Sequence, residues 1–395
     1  MAQEVPIFHQ VVWRSMELAG SLHIADEIQT RRPELLLNSF GLSLSLLAVY
    51  TVFAYTLLIL SALFPAHIGF GLPNSADYGV YIACALVFVG TSAAGIAGRL
   101  KWLDHPALLY WQRTAIRYIL GYIFIGYGFA KVFHEQFYTL RSTLDTPLGD
   151  ITGLQLAWRF FGYSYAYTLF VASTQIFGSF LLFFRRSTTL GALILLPVIT
   201  NIVFINFSHE IPVKTFSLIL LVMSVYLLLL DYRRLRALFL DEQVTFGDRP
   251  TPTPSAGNRL RPAAKWLVIL FVFAANIGTS YHFYLEANKR SVLDGVWEVE
   301  AYRVNGVAQA RQQTSDVWEK VYFESGDVLA VKMAATRPVL FLSQVDEQAQ
   351  TIRLEDFKSG TESQYAYQLP SGDKLVLQTT KGEDAIEVLL KKSRE

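Results

Sequence analysis

Gly121-Tyr-Ile-Phe-Ile-Gly-Tyr-Gly-Phe-Ala-Lys131 and Asn201-Ile-Val-Phe-Ile-Asn-Phe-Ser-His-Glu-Ile-Pro-Val-Lys214 are apolar runs that each end in charge. Both lie within Trp111–Asp231, and together they decide the fold. A lysine, a histidine and a glutamate at the ends of lipid-soluble helices are costly there, so they mark a functional site by default. The sequence around them agrees: 52% of residues are hydrophobic and only 17% charged. Ordinary soluble domains carry about 25% charged residues. Residues 39–64 and 79–96 contain no Asp, Glu, Lys or Arg at all. The sequence predicts an α-helical polytopic membrane protein.

Seven apolar segments approach the ~20 residues needed to cross ~30 Å of hydrocarbon: 39–64, 79–97, 113–132, 166–184, 188–206, 212–230 and 264–284. Lipid offers no water to unpaired backbone groups, so each must be helical. Lys and Arg divide unequally between the two sets of loops. One set holds Arg99, Lys101, Arg185, Arg186, Arg233, Arg234 and their neighbours, while the other holds Lys131, Arg141, Arg159 and Lys214. That bias puts the N-terminus in the cytoplasm and, after seven crossings, the C-terminus outside.

Residues 1–38 are soluble in character, and Val5–Leu18 reads as a surface-lying amphipathic helix. It lacks the continuous apolar core of a signal peptide. Residues 39–104 supply two lead-in helices, 105–240 a four-helix core, and 241–262 a cytoplasmic linker rich in Pro, Gly and Ser. A tether helix follows at 263–285. The long external connection, 133–165, is aromatic enough to lie in the membrane interface.

From Asp294 the periodicity changes to two. Eight short strands, from Val296–Arg303 to Ala385–Leu390, are separated by turn sequences such as Asn305-Gly306, Ser325-Gly326-Asp327 and Lys381-Gly382. Hairpin after hairpin predicts an antiparallel meander over 290–395 that closes as a small extracytoplasmic barrel. Its opening Gly295-Val-Trp297 resembles the Gly-x-Trp start of lipocalin-type barrels.

The membrane core is similar to the DoxX-like family over residues 105–240. The resemblance rests on Tyr122–Lys131, Trp158-Arg-Phe-Phe-Gly-Tyr-Ser164, Gly178–Arg186, Thr188-Thr-Leu-Gly-Ala192 and Asn206–Lys214. It implies a four-helix bundle in a bacterial plasma (inner) membrane and, from some relatives, a quinone-linked redox role. Many relatives carry a glutamate where this chain has Gln175 and a second glycine where it has Ser179. That departure removes a carboxylate able to carry protons.

The candidate catalytic residues are Lys131, His134, His209 and Glu210. An imidazole titrates near neutral pH and a neighbouring carboxylate can hold its tautomer, so His209-Glu210 suits proton exchange with a hydroquinone. Lys131 either snorkels to the interface or binds Glu135, Glu210 or a ligand oxygen. Arg159, Tyr163, Gln175, Asn206 and Lys214 are the candidate substrate-binding residues, and Asn206 equally serves as an interhelical hydrogen-bonding group. No two-histidine helical spacing supports a metal. Cys84 is the single cysteine, and no haem or phosphate-binding motif occurs, so no cofactor is encoded and a quinone is the implied one. A net charge of +1 leaves no nucleic-acid footprint. The expected partners are the lipid bilayer and, through residues 290–395, a redox or envelope protein. The alternative to a redox role is a non-enzymatic scaffold whose β domain binds such a partner or a lipid.

Overall fold

The computed structural model describes residues 36–50, 89–94, 106–240, 260–309, 317–333, 338–356 and 359–393. The amphipathic helix expected at Val5–Leu18, most of the two lead-in spans and the linker up to residue 259 lie outside these. The described helices are α1 (Leu36–Tyr50), α2 (89–94), α3 (Pro106–Val132), α4 (Arg141–Leu144), α5 (Gly153–Tyr163), α6 (Tyr165–Leu182), α7 (Thr188–Ser208), α8 (Lys214–Leu229), α9 (Tyr232–Leu240) and α10 (Leu260–Ala287). Among the described residues, four stretches are long and apolar enough to cross a membrane: Tyr110–Val132, Tyr165–Leu182, Thr188–Ser208 and Ala263–Ala287. A fifth forms if α8 and α9 are taken together, although they meet at a bend of 71°.

The chain divides into two compact units. The first comprises Met1–Ile125, Thr174–Asn206 and Pro212–Val272. Small residues bring its helices close. A Cβ on Gly191 would meet the Gly178 carbonyl oxygen at 2.7 Å, and one on Gly121 would meet the Phe183 ring at 2.8 Å. Close approach supplies the van der Waals contact that lipid cannot outcompete. Polar links complete the packing. Arg117 Nε donates to the Leu182 carbonyl at 2.7 Å, and Gln112 donates to the Asn38 carbonyl at 3.2 Å. Asp231, which stands directly before α9 and its arginines, is buried. Its carboxylate binds both guanidinium nitrogens of Arg113 and accepts from Thr189 Oγ1 at 2.6 Å.

The second unit comprises Gly126–Ser173, Phe207–Ile211 and Phe273–Glu395. Its strands are β1 (Gly295–Val304), β2 (Val307–Ala308), β3 (Trp318–Phe323), β4 (Val328–Met333), β5 (Val339–Asp346), β6 (Thr351–Asp356), β7 (Glu362–Ser371), β8 (Lys374–Lys381) and β9 (Asp384–Lys392). They pair antiparallel in sequence order, and β1 also pairs with β9 from Trp297↔Lys392 to Val304↔Ile386. An eight-stranded antiparallel barrel results, with the two-residue β2 appended to the end of β1. The predicted turns form it: Asn305 and Gly306 take φ of 50° and 79°, the left-handed pair that a two-residue hairpin requires. Side chains fill the interior, with Trp297, Val321, Val331, Leu375 and Val388 wholly buried among others. Gly295 sits at φ 129°, where a side chain is strained, and the Lys392 stem lies 3.0 Å from where its Cβ would be.

The connection over residues 133–165 belongs to this unit and is bound to the barrel wall. Buried Glu324, just after β3, accepts from the backbone N–H of Arg141 (3.0 Å) and Ser142 (2.8 Å) at the start of α4. Arg141 returns a hydrogen bond to the Phe323 carbonyl at 3.2 Å. One turn on, Asp145 accepts from Lys320 Nζ at 2.8 Å and from the Tyr322 hydroxyl at 2.5 Å. The Lys320 ammonium, then the Tyr322 hydroxyl, holds the Asp145 carboxyl below its ordinary value. A depressed carboxyl stabilises above its unfolded pKa and loses that contribution as pH falls through the folded one. The Asp145 contact is therefore present above about pH 4 and weakens in acid.

Each hydrogen bond to a buried charge contributes about 1.5–3 kcal/mol. Glu324→Gln keeps one acceptor oxygen, whereas Glu324→Ala keeps none. Amide hydrogen exchange at Arg141 and Ser142 is expected to quicken in the order wild type, Glu324→Gln, Glu324→Ala. Equal protection in all three would show that α4 is held by other contacts.

Candidate functional site at the charged end of α3

The site is built on an irregular exit from α3. Phe133 N–H still reaches the Phe129 carbonyl, but His134 N–H turns to the Lys131 carbonyl at 3.3 Å. The Gln136 N–H then closes back on the Ala130 carbonyl at 3.0 Å. Such wraps normally place Gly or Asn in the left-handed conformation. Here His134 occupies it at φ 57° and Phe137 at φ 70°. A bulky residue in that region costs on the order of 1–3 kcal/mol and persists only where its surroundings hold it.

The turn carries Gln136 and Phe137 back over Lys131. The ammonium, on a residue only 3% exposed, donates to Gln136 Oε1 at 2.7 Å and to the Tyr127 carbonyl at 3.2 Å. The Tyr127 and Phe137 ring centroids stand 5.6 and 5.5 Å from it. Among the described residues Lys131 forms no ion pair. Of the two carboxylates expected from sequence to meet it, Glu135 takes a hydrogen bond from Ser280. Glu210 is exposed. A buried cation with neutral acceptors, one N–H to spare and two aromatic faces offers a donor and a charge to a ligand oxygen.

Helix α5 holds the surroundings of this corner. Thr152 and Gln155 cap its start reciprocally, with N···O distances of 3.2 and 2.8 Å. Both of its end glycines are needed for space. A Cβ on Gly162 would lie 2.5 Å from the Phe137 carbonyl oxygen, and one on Gly153 would lie 2.9 Å from that of His209. The helix thus bears on the strained Phe137 and on the backbone beside Glu210, itself at φ 55°. Its inner side buries Ala157 and Phe161, and Phe137 stacks on Phe161 at 4.8 Å. Leu156, Phe160 and Tyr163 stay exposed along the opposite side. Part of this aromatic loop, the rings of Phe137, Trp158 and Phe161, is spent on its own packing.

Six of the nine predicted residues fall in this unit. Besides Lys131, His134 stacks on Tyr165 at 4.1 Å, and the Tyr165 hydroxyl donates to the Val132 carbonyl. Arg159 donates to the Thr146 carbonyl at 3.2 Å, while its buried Nε has no partner. Tyr163 is 92% exposed. His209 is half-buried, and the Glu210 carboxylate makes no hydrogen bond among the described residues, so it does not orient that imidazole. Gln175, Asn206 and Lys214 belong to the first unit. There Gln175 is wholly buried with both amide atoms unpartnered, and the Asn206 amide nitrogen is buried without a partner. Gln136, Phe137 and the α5 glycines were not predicted. Only Thr152-Gly-Leu-Gln155, a capping-box pattern, carried a readable signal. Among the described residues no group of three or more His, Cys, Asp or Glu gathers as a metal site would.

An unpartnered buried amide costs about 1–3 kcal/mol. Gln175→Leu is therefore expected to raise the thermal midpoint of the detergent-solubilised protein. A lowered midpoint would mean that the amide has a stabilising partner in the membrane.

No family model matches the chain, and no solved structure matches it. YwoB of Bacillus subtilis (strain 168), described as an uncharacterized protein, is 39% identical over 131 residues, which are 33% of this chain and 84% of the relative.

Proposed function

This chain belongs to the family of YwoB, and from its own residues we propose that it is a DoxX-like integral membrane protein serving a quinone-linked redox system. A match covering most of the relative but a third of this chain describes a family unit carried within a longer protein. In this reading the chain spans a bacterial plasma membrane seven times, with its N-terminus in the cytoplasm and its β-barrel outside. The Lys131 corner lies at the outer leaflet.

The observation that carries the reading is Lys131 itself, buried, without an ion pair, and flanked by Tyr127 and Phe137. Those residues fit a quinone, whose carbonyl oxygens accept hydrogen bonds and whose ring takes an aromatic neighbour. When bound, a quinone supplies two-electron, two-proton redox chemistry. Lys131 donates to one of its oxygens and favours the negative charge of a reduced form. In this reading His134, three residues on from Lys131, and His209, whose backbone carbonyl lies against Gly153 of α5, exchange protons with the outside, and α5 excludes water from the corner.

The test is quinone extraction from protein purified out of its own membrane. Wild type is expected to retain a quinone and Lys131→Met to lose it, with Gln136→Leu intermediate. Equal quinone in wild type and Lys131→Met would end the proposal. A scaffold is the second reading, favoured by the filled barrel interior, which leaves the barrel's outer surface to a partner. Partner capture that survives loss of residues 290–395 would count against it.

A further inference from the structure

Helix α9 leaves α8 at 71° and is built unlike the spans. Its nine residues, Tyr-Arg-Arg-Leu-Arg-Ala-Leu-Phe-Leu, include three arginines and no acid. Asp231 fixes the corner, because its buried carboxylate holds Arg113 of α3 and Thr189 of α7. These bonds tie the inner angle of the elbow to two neighbouring helices. That angle frames a groove of about 400 Å³, open along one side. Leu196 of α7, Val225 and Leu228 of α8, and Leu235 and Phe239 of α9 line it, with Arg236 as its charged member. Tyr232, Leu235, Arg236, Phe239 and Leu240 recur at helical spacing, so one face of α9 forms a wall.

We propose that this elbow binds an anionic phospholipid, with an acyl chain in the groove and the phosphate on Arg236. Two features select that occupant. The walls are apolar and border helices able to cross a membrane, where the available apolar filler is an acyl chain. A short basic amphipathic helix leaving a span at a steep angle lies along the headgroup layer, and its charge asks for a negative headgroup. Arg233 and Arg234 on the same helix add to the attraction.

Native mass spectrometry of the full chain released in detergent tests the proposal, using phosphatidylglycerol and phosphatidylcholine with the same acyl chains. Phosphatidylglycerol is expected to remain bound at concentrations where phosphatidylcholine is lost. Arg236→Gln, a surface change, is expected to weaken it roughly fivefold. Val225→Trp, at a partly exposed wall position, is expected to abolish the adduct by filling the groove. Equal retention of the two lipids would overturn the proposal. So would unchanged phosphatidylglycerol binding in both variants, or a lipid-free dimer, which would give the groove to a second copy.

Discussion

Asp231→Ala is expected to lower the unfolding free energy of the solubilised protein by about 3–5 kcal/mol, because it strands the Arg113 guanidinium. The side chains of this pair are only 17% and 4% exposed, so water cannot replace the lost partner. Thr189 loses the carboxylate oxygen it donates to in the same step. Asp231→Asn retains an acceptor oxygen and is expected to cost less. The double change Arg113→Leu, Asp231→Leu is expected to recover much of the loss, since it removes both charges rather than one. Denaturant titrations of the single and double variants form the check. Additive costs would show that the two groups do not depend on each other.

Trp297→Ala is expected to cost the barrel about 3–5 kcal/mol, the range for removing a large ring from a packed core. Trp297 is wholly buried, donates from Nε1 to the Leu293 carbonyl at 2.7 Å, and carries the Lys392 ammonium 5.3 Å from its ring. It therefore joins three parts of the closure: the approach to β1, β1 itself and the last residue of β9. Trp297→Phe restores the apolar volume but leaves the Leu293 carbonyl without its donor, so an intermediate loss is expected. Limited proteolysis of the full chain reads this locally. New cleavage confined to residues 290–393 in Trp297→Ala is the expected pattern, and a wild-type pattern would contradict it.

These two sites also show what the sequence could and could not disclose. Trp297 was legible because strand alternation and turn chemistry are local: Gly295-Val-Trp opens an alternating run, and Asn305-Gly306 can hardly do anything but turn. The eight strands followed from such signals. The apolar helices were legible for the same reason, since hydropathy is read over consecutive residues. Asp231 was not legible. An acid after an apolar run followed by arginines reads as water-facing, and its partner Arg113 lies 118 residues away in the chain. Composition likewise carries no trace of the 71° bend beside it.

The candidate site was legible in its charges but not in its mounting. Lys131 stands out as a cation in an apolar run. That Gln136 would return to meet it depends on His134 and Phe137 adopting a backbone conformation that their identities argue against. Gly153 and Gly162 could be seen as small, yet which carbonyl each one admits is a tertiary fact. Glu324 looked like any acid after a strand until its two backbone donors were in view.

In the proposed function Lys131 is held as a ligand donor rather than as a packed structural cation. A binding titration of purified protein with a short-chain quinone measures this most directly, comparing wild type with Lys131→Ala, His209→Ala. Saturable binding in wild type and its loss in the variant, with both proteins folded, are expected. Saturable binding of equal strength in both, or none in either, would contradict it.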